Sequence, residues 1–257
     1  MIVCELGGNI NGNADIAKNY IRAANANGAD AVKLQLYDAD KLYGVGSPYY
    51  PYGKKGELSY PVFKEIVKFA NGAIEIFASV FDIEHLQWCE NLGIKRYKIA
   101  ARQYNNRTLA EAVRATGKPV IQSLDPYYIR RINRASSVLP LIDRPALPSF
   151  SAQTSYLYCC SKYPATIDEL HLGGIDFHSE WDGLSDHTIG LGASLTALAR
   201  GAKIIEKHFT LDKSATGFDH LWSMTPSELL QLTKYQKVLK EVYGDNRGWI
   251  ITNGDEF

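Results

Sequence analysis

Short apolar runs recur along the chain, separated by stretches whose apolar residues return every three or four positions. The first kind reads as buried strand, the second as helix with one face on a core. Strand-like runs fall at residues 2–7, 31–36, 74–80, 96–101, 119–124, 155–160, 183–187 and 203–209. Helical stretches cover residues 15–27, 83–92, 109–116, 191–200 and 226–243. Gly28, Gly93, Gly117 and Gly201 stand just past four of these, as helix stop signals. Eight strands in alternation with helices predict an α/β fold, a (β/α)8 TIM barrel, with an open doubly wound sheet as the alternative. The run Gly7-Gly8-Asn9-Ile10-Asn11-Gly12 lacks the spacing of a dinucleotide-binding loop.

Two longer stretches break the rhythm. Residues 37–57, rich in tyrosine, follow the second strand, and residues 138–154, with three prolines, precede the sixth. In a parallel barrel the loop after a strand belongs to the active face. Residues 37–57 are therefore expected either to wall a substrate site or to form a surface excursion packed on its own rings.

Composition narrows the classes. A chain of 257 residues fits one barrel domain spanning residues 1–257. Lys and Arg number 28, as do Asp and Glu, and they are dispersed, which argues against nucleic acid or an anionic membrane as partner. No run approaches the roughly 18 apolar residues of a membrane span. Met1-Ile2-Val3-Cys4-Glu5 enters a strand directly and leaves no room for a signal peptide. Four cysteines, Cys159 and Cys160 adjacent, are too few for a disulfide framework. Reduced thiols in a cytoplasmic protein are the expectation.

Barrel enzymes place their chemistry at the carboxyl ends of strands. Here those ends carry Glu5, Lys33 with Gln35, Ser79, Lys98, Ser123, Ser161, His187 and His208, in that order. The two histidines close consecutive strands, in Ser185-Asp186-His187-Thr188 and Glu206-Lys207-His208-Phe209, each beside a carboxylate. Adjacent strands lie about 4.8 Å apart, so two neutral imidazoles on one edge can share a metal ion. The alternative is that each only hydrogen-bonds a nearby loop. Lys33 and Lys98 sit in otherwise apolar strands, where an unpaired ammonium is costly to bury. Two such lysines facing one cavity call for a phosphate or carboxylate guest, or for a buried acid such as Glu5 or Glu206 beside each. His85, His171 and His178 read as surface or packing residues.

Several of these runs, taken together, resemble the sialic acid (N-acetylneuraminate) synthase family with its legionaminate and pseudaminate relatives. They are Glu5-Leu6-Gly7-Gly8-Asn9 with Asn11-Gly12, Gly28 to Gln35, Phe81-Asp82, Tyr97 to Ala100, Thr116 to Ile121, Tyr163-Pro164, Leu184 to Gly190, Gly201 to Asp212, and Gly217-Phe218-Asp219-His220. The resemblance implies a barrel enzyme that condenses phosphoenolpyruvate with an N-acetylated aldose such as N-acetylmannosamine. The product would be a nine-carbon 2-keto sugar acid, with phosphate released. It implies that His187 and His208 hold a divalent metal, usually manganese (Mn2+), and that Glu5 is the essential acid nearby. Lys33, Lys98, Ser123 and Ser185 would hold phosphoenolpyruvate, and Gln35, Tyr163 and Asp219 would contact the sugar, with His220 close by. A homodimer is implied as well.

The chain departs from that pattern on strands four to six. Ala101-Arg102-Gln103 replaces Ser-Gly-acid, Leu124-Asp125 follows Ser123 in place of Thr-Gly, and Tyr158-Cys159-Cys160 replaces His-Cys-Thr. Arg102 is expected either to supply a guanidinium fork to the anion or to fill its pocket. Family members usually carry a small C-terminal antifreeze-like domain, whereas this chain ends soon after the last helix. The expectation is a barrel without that domain, which is then separately encoded, dispensable for a different substrate, or missing from a shortened chain. A non-catalytic barrel that binds metal and sugar, and a Schiff-base aldolase using Lys33 or Lys98, are the other readings.

Overall fold

Eight parallel strands close into a barrel in chain order in a computed structural model that describes residues 1–126 and 153–244. They are β1 (Ile2–Glu5), β2 (Ala31–Leu36), β3 (Glu75–Val80), β4 (Tyr97–Ile99), β5 (Val120–Leu124), β6 (Thr154–Cys159), β7 (Gly183–Asp186) and β8 (Ile204–His208). All eight overlap the expected runs, with ends that differ by at most two residues. Pairing of β1 with β8 closes the ring and excludes an open sheet.

The helices pack outside. They are α1 (Ala14–Ala26), α2 (Ala39–Leu42), α3 (Tyr50–Gly56), α4 (Tyr60–Ala70), α5 (Ile83–Asn91), α6 (Arg107–Ala115), α7 (Gly192–Ala199) and α8 (Pro226–Tyr243). Asn13 caps α1 by accepting from the amides of Asp15 and Ile16, and Thr225 with Glu228 forms a capping box on α8. Helix α4 was not among the expected elements. It opens with a proline in its first turn and buries Phe63, Ile66 and Ala70 at helical spacing. Residues 37–57 are not a structureless loop: they fold into α2 and α3. The proline-containing stretch expected before strand six lies largely outside the described residues. Among the described residues no helix is long and apolar enough to cross a membrane.

Strand alternation divides the two histidine runs between two faces. On β7 Ser185 points into the barrel and Asp186 points out; on β8 Glu206 and His208 point in and Lys207 points out. Asp186, which sequence spacing set beside His187, thus serves the outer layer. Its Oδ2 lies 3.1 Å from Lys207 Nζ, and its Oδ1 accepts from the Thr188 amide and hydroxyl at 2.8 and 2.7 Å. Ser194 of α7 also donates to it, and Lys207 donates to the Thr188 carbonyl at 2.6 Å. Burial disfavours the Asp186 anion, but Lys207 and these donors hold its pKa below the usual carboxylate range. Gly183 opens β7 because the strands approach so closely there that a Cβ would lie 1.8 Å from the Ile204 carbonyl oxygen.

The outer pair fixes how β7, β8 and α7 meet, and both partners are buried. Asp186→Asn leaves Lys207 as an uncompensated buried charge and should cost about 3–5 kcal/mol of stability in urea denaturation. A loss below about 1 kcal/mol would show that the pair does not hold this corner.

Candidate active site

Every strand sends at least one side chain to a single narrow cavity at the carboxyl end of the barrel. Its wall includes Glu5, Lys33, Gln35, Ser79, Lys98, Ser123, Cys159, Ser185 and Glu206, with His187 and His208 above them and Tyr163 at the rim. The strand register produces this convergence. Glu5 on β1 lies level with Lys33 on β2 and with His208 on β8, Gln35 is level with Ser79, and Ser79 with Lys98. Ser185 on β7 is level with Glu206.

Four ionised groups make the floor. Lys33, Lys98, Glu5 and Glu206 are each at most 4% exposed. Glu206 Oε1 accepts from Lys98 Nζ at 2.7 Å and from Ser185 Oγ at 2.8 Å, while its Oε2 lies 3.8 Å from Lys33 Nζ. Lys33 pairs with Glu5 and donates to Ser79 Oγ at 2.8 Å. Burial works against the Lys33 ammonium, yet Glu206 and Glu5 together hold its pKa above the ordinary lysine value. Lys98 is pulled below that value by burial, against the attraction of Glu206. Burial also disfavours the Glu206 anion, but Lys33 and Lys98 keep its pKa below the carboxylate range. Of the two readings of the buried lysines, the structure thus shows the protein's own acids beside them. Ser123 Oγ, in the same wall, is buried with no hydrogen-bond partner.

The two histidines form the corner above. Their ring centroids are 5.7 Å apart, and the Tyr163 ring sits 4.3 Å from that of His187. His187 Nδ1 is 2.8 Å from the Cys160 carbonyl oxygen. A carbonyl only accepts, so Nδ1 carries the proton and Nε2 keeps the lone pair. Burial, with the neighbouring His208, pushes the His187 pKa down to about 3 and leaves the ring neutral. His208 Nδ1 is buried without a hydrogen-bond partner and lies 3.6 Å from Asp219 Oδ2. The same carboxylate oxygen accepts from the Gly8 amide at 3.3 Å. At Gly7, where φ is +44°, a Cβ would stand 3.1 Å from Asp219 Oδ2 and 3.3 Å from both Glu5 Oε1 and His208 Cε1. The absent side chain is what lets those three groups come together.

This donor set suits a divalent cation in its chemistry: two imidazoles, that of His187 neutral and that of His208 with a buried nitrogen lacking a hydrogen-bond partner, next to carboxylates. Among the described residues no group of three or more histidine, cysteine, aspartate or glutamate side chains is arranged to hold a metal ion.

All ten residues to which the resemblance gives a role lie at this end of the barrel, with differences in detail. Asp219 stands against His208 and the Gly7-Gly8 turn and does not line the cavity wall. His220, beside it, turns away from the cavity: its Nδ1 is 2.7 Å from Thr210 Oγ1. Ser161 is held by its amide on Asp125, at 2.7 Å. His85 packs on Trp88 and pairs with Asp82, as a packing residue would. Arg102 neither fills the pocket nor reaches into it. It is exposed, lies 5.2 Å over the Tyr43 ring and donates to the Leu42 carbonyl at 3.5 Å. No residue of the tyrosine-rich stretch lines the cavity wall, but a chain of ring contacts joins it to Tyr163. Tyr49 and Tyr52 meet Phe218, Phe218 meets Trp222, and Trp222 meets Tyr163. Glu206, which the sequence offered only as a possible partner for the buried lysines and not as a site residue, is a main member of the wall. It stands two positions before His208, and that spacing puts both on one face of a strand.

The NeuB family model matches residues 20–248. The chain belongs to the NeuB family. It is 31% identical to the N,N'-diacetyllegionaminic acid synthase of Campylobacter jejuni, over 95% of this chain and 78% of that one. With the N,N'-diacetyllegionaminic acid synthase of Legionella pneumophila the identity is 32%, over 95% of this chain and 73% of the other. The crystal structure of the N-acetylneuraminic acid synthetase of Leptospira borgpetersenii, in complex with citrate, superposes with a TM-score of 0.82 at 28% identity, covering 96% and 85% of the two chains. As a NeuB-family barrel, the chain is a sialic acid synthase-like enzyme, and its cavity is the candidate active site.

The neutrality of His187 has a consequence for acid stability. Unfolded, it titrates near its ordinary value of 6.5; folded, it stays neutral down to about 3. Between those values the unfolded chain binds a proton that the folded chain refuses, so stability falls as pH drops from 6.5 toward 3. Urea midpoints should therefore decline between about pH 7 and about pH 5, and decline less in His187→Gln. Equal acid sensitivity in the two proteins would assign the effect to other groups.

Proposed function

We propose that this NeuB-family enzyme condenses phosphoenolpyruvate with an N-acetylated aldose to give a nine-carbon 2-keto sugar acid and inorganic phosphate. The observation that carries the reading is the position of Glu5, level with a lysine of the ionic floor on one side and with a histidine of the upper corner on the other. A small anion and a sugar aldehyde bound on those two sides would meet beside its carboxylate. Lys33, Lys98, Ser185 and the unpartnered Ser123 hydroxyl supply donors for phosphate and carboxylate oxygens. Gln35 and Tyr163 face the space in which the sugar hydroxyls would lie.

In this reaction C3 of the enol phosphate forms the new bond to the aldehyde carbon, water adds at C2, and the C2–O bond to phosphate breaks. As that bond breaks the hydroxyl on C2 becomes the keto oxygen and its proton leaves with the phosphate, while the first proton released by the water passes to the new alcohol. Glu5, whose Oε1 has no hydrogen-bond partner, is the group placed to hold that proton. His187 and His208 would hold the divalent ion, manganese in this reading, whose Lewis acidity polarises the aldehyde when bound. The Schiff-base alternative finds less support, because both lysine ammoniums are engaged by carboxylates. The proposal includes a homodimer, and Tyr49, Tyr52 and Phe218 leave aromatic surface free near the rim, at 51%, 53% and 39% exposed.

Phosphate release should require phosphoenolpyruvate, manganese and one member of a panel of N-acetylated hexoses, and should vanish in His208→Ala. Glu5→Gln should lower kcat by about 10²–10⁴-fold while the protein still binds the metal. Metal binding without release for any sugar would sink the proposal in favour of a binding protein, unless release returned on adding an antifreeze-like domain.

A further inference from the structure

The anion donors of the floor are not vacant. The groups to which the proposed function assigns phosphoenolpyruvate are already engaged by a carboxylate of the protein itself. Glu206 Oε1 takes the ammonium of Lys98 and the hydroxyl of Ser185, and its Oε2 faces the ammonium of Lys33. One side chain occupies three of the donors that a phosphate or carboxylate would need. It does so with the same chemistry, a negative oxygen accepting from a lysine and a serine at 2.7 and 2.8 Å.

We infer that Glu206 is an internal counter-ion that an incoming phosphate or carboxylate must displace, and that its return helps expel the phosphate product. Charge counting leads to this. Two ammoniums and two carboxylates leave the floor neutral, so a multiply charged anion added on top of them would meet two negative charges at contact distance. Such repulsion is strong in a buried site, where the effective dielectric is far below that of water. Binding proceeds if the guest takes the Lys98 and Ser185 donors from Glu206 while Glu5 keeps Lys33 company. Until then Glu206 keeps both lysines charged and aimed into the cavity, an arrangement two adjacent buried cations could not hold alone. The serine matters to the argument. A purely structural ion pair needs only Lys98, whereas the Ser185 bond places the carboxylate among the donors suited to a tetrahedral anion. This inference depends on the proposed function for the identity of the substrate anion, but not for the exchange itself.

Glu206→Gln keeps the shape and one acceptor while removing the charge. Inorganic phosphate should bind the variant at least tenfold more tightly than the wild type in calorimetry. Phosphate should also raise its melting temperature more. In turnover the variant should show a lower KM for phosphoenolpyruvate, stronger inhibition by phosphate and a lower kcat. That split would not follow from a general loss of structure. If the variant folds only with phosphate present, the guest is replacing the missing counter-ion, which supports the inference. Glu206→Asp, which keeps the charge but shortens the reach, then supplies the comparison, with phosphate affinity between the other two. Phosphate affinity that is unchanged or weaker in Glu206→Gln would overturn the counter-ion role. Tighter phosphate binding without phosphate release from phosphoenolpyruvate and any sugar would leave the exchange standing and remove the proposed function instead.

Discussion

The interaction on which the rest of the site depends is the buried cluster of Lys33, Lys98, Glu5 and Glu206. The Lys98–Glu206 pair joins β4 to β8 across the lumen of the barrel, so it forms only once the sheet has closed. Each of the four is almost completely removed from water, and any one alone would carry a desolvation penalty of several kcal/mol. Together they neutralise one another and hold each other's side chains extended into the cavity. The cluster is therefore poor evidence of stability for its own sake. It is better understood as the cost of keeping charged donors dry, aligned and ready for an anion.

Around that cluster, strand alternation gives neighbouring residues opposite duties. In Ser185-Asp186-His187 the first and third face the cavity, while the second locks β7 to β8 and α7 from outside. In Glu206-Lys207-His208 the same division recurs. Two short sequences thus carry both the chemistry and the outer pair that fixes its position. Displacement of the outer pair would move the histidines, because Asp186 and Lys207 immediately precede them in the chain.

Much of this was legible from residues alone. Apolar runs separated by helical stretches with glycine stops gave eight strands in their observed places, and polar residues at strand ends gave the wall of the cavity. What sequence left open was whatever depends on distance across the lumen. Spacing said that Lys33 and Lys98 needed negative partners, yet it left open whether a guest or a protein acid supplied them, because Glu206 lies 108 positions from Lys98 in the chain. Loops were the other gap. Arg102 follows a strand end and could have turned into the pocket, but stacking on Tyr43 draws it outward. His220 and Asp219 are adjacent, yet Thr210 captures the first while the Gly8 amide and His208 meet the second. Helix α4 lies just past the tyrosine-rich stretch, in residues that the sequence reading assigned to no element.

The distribution of charge also bears on how the proposed anion would be recognised without a basic surface. Formal net charge is zero, and Tyr163 at the rim of the cavity continues into a chain of aromatic contacts through Trp222 and Phe218 to Tyr49. Exposed charges are screened within about 8 Å at physiological salt, so long-range steering contributes little here. Recognition must then come from contact with donors at the bottom of the cavity, where screening is weak and geometry decides. A floor whose lysines are held in place before the guest arrives spends less on reorganisation than one that gathers them on binding. The aromatic entrance, in turn, fits a ring that stacks and hydrogen-bonds at its edges. An ionic floor beneath an aromatic mouth therefore suits two unlike reactants, one small and highly charged, the other a neutral sugar. The single carboxylate of Glu5 stands where they would meet.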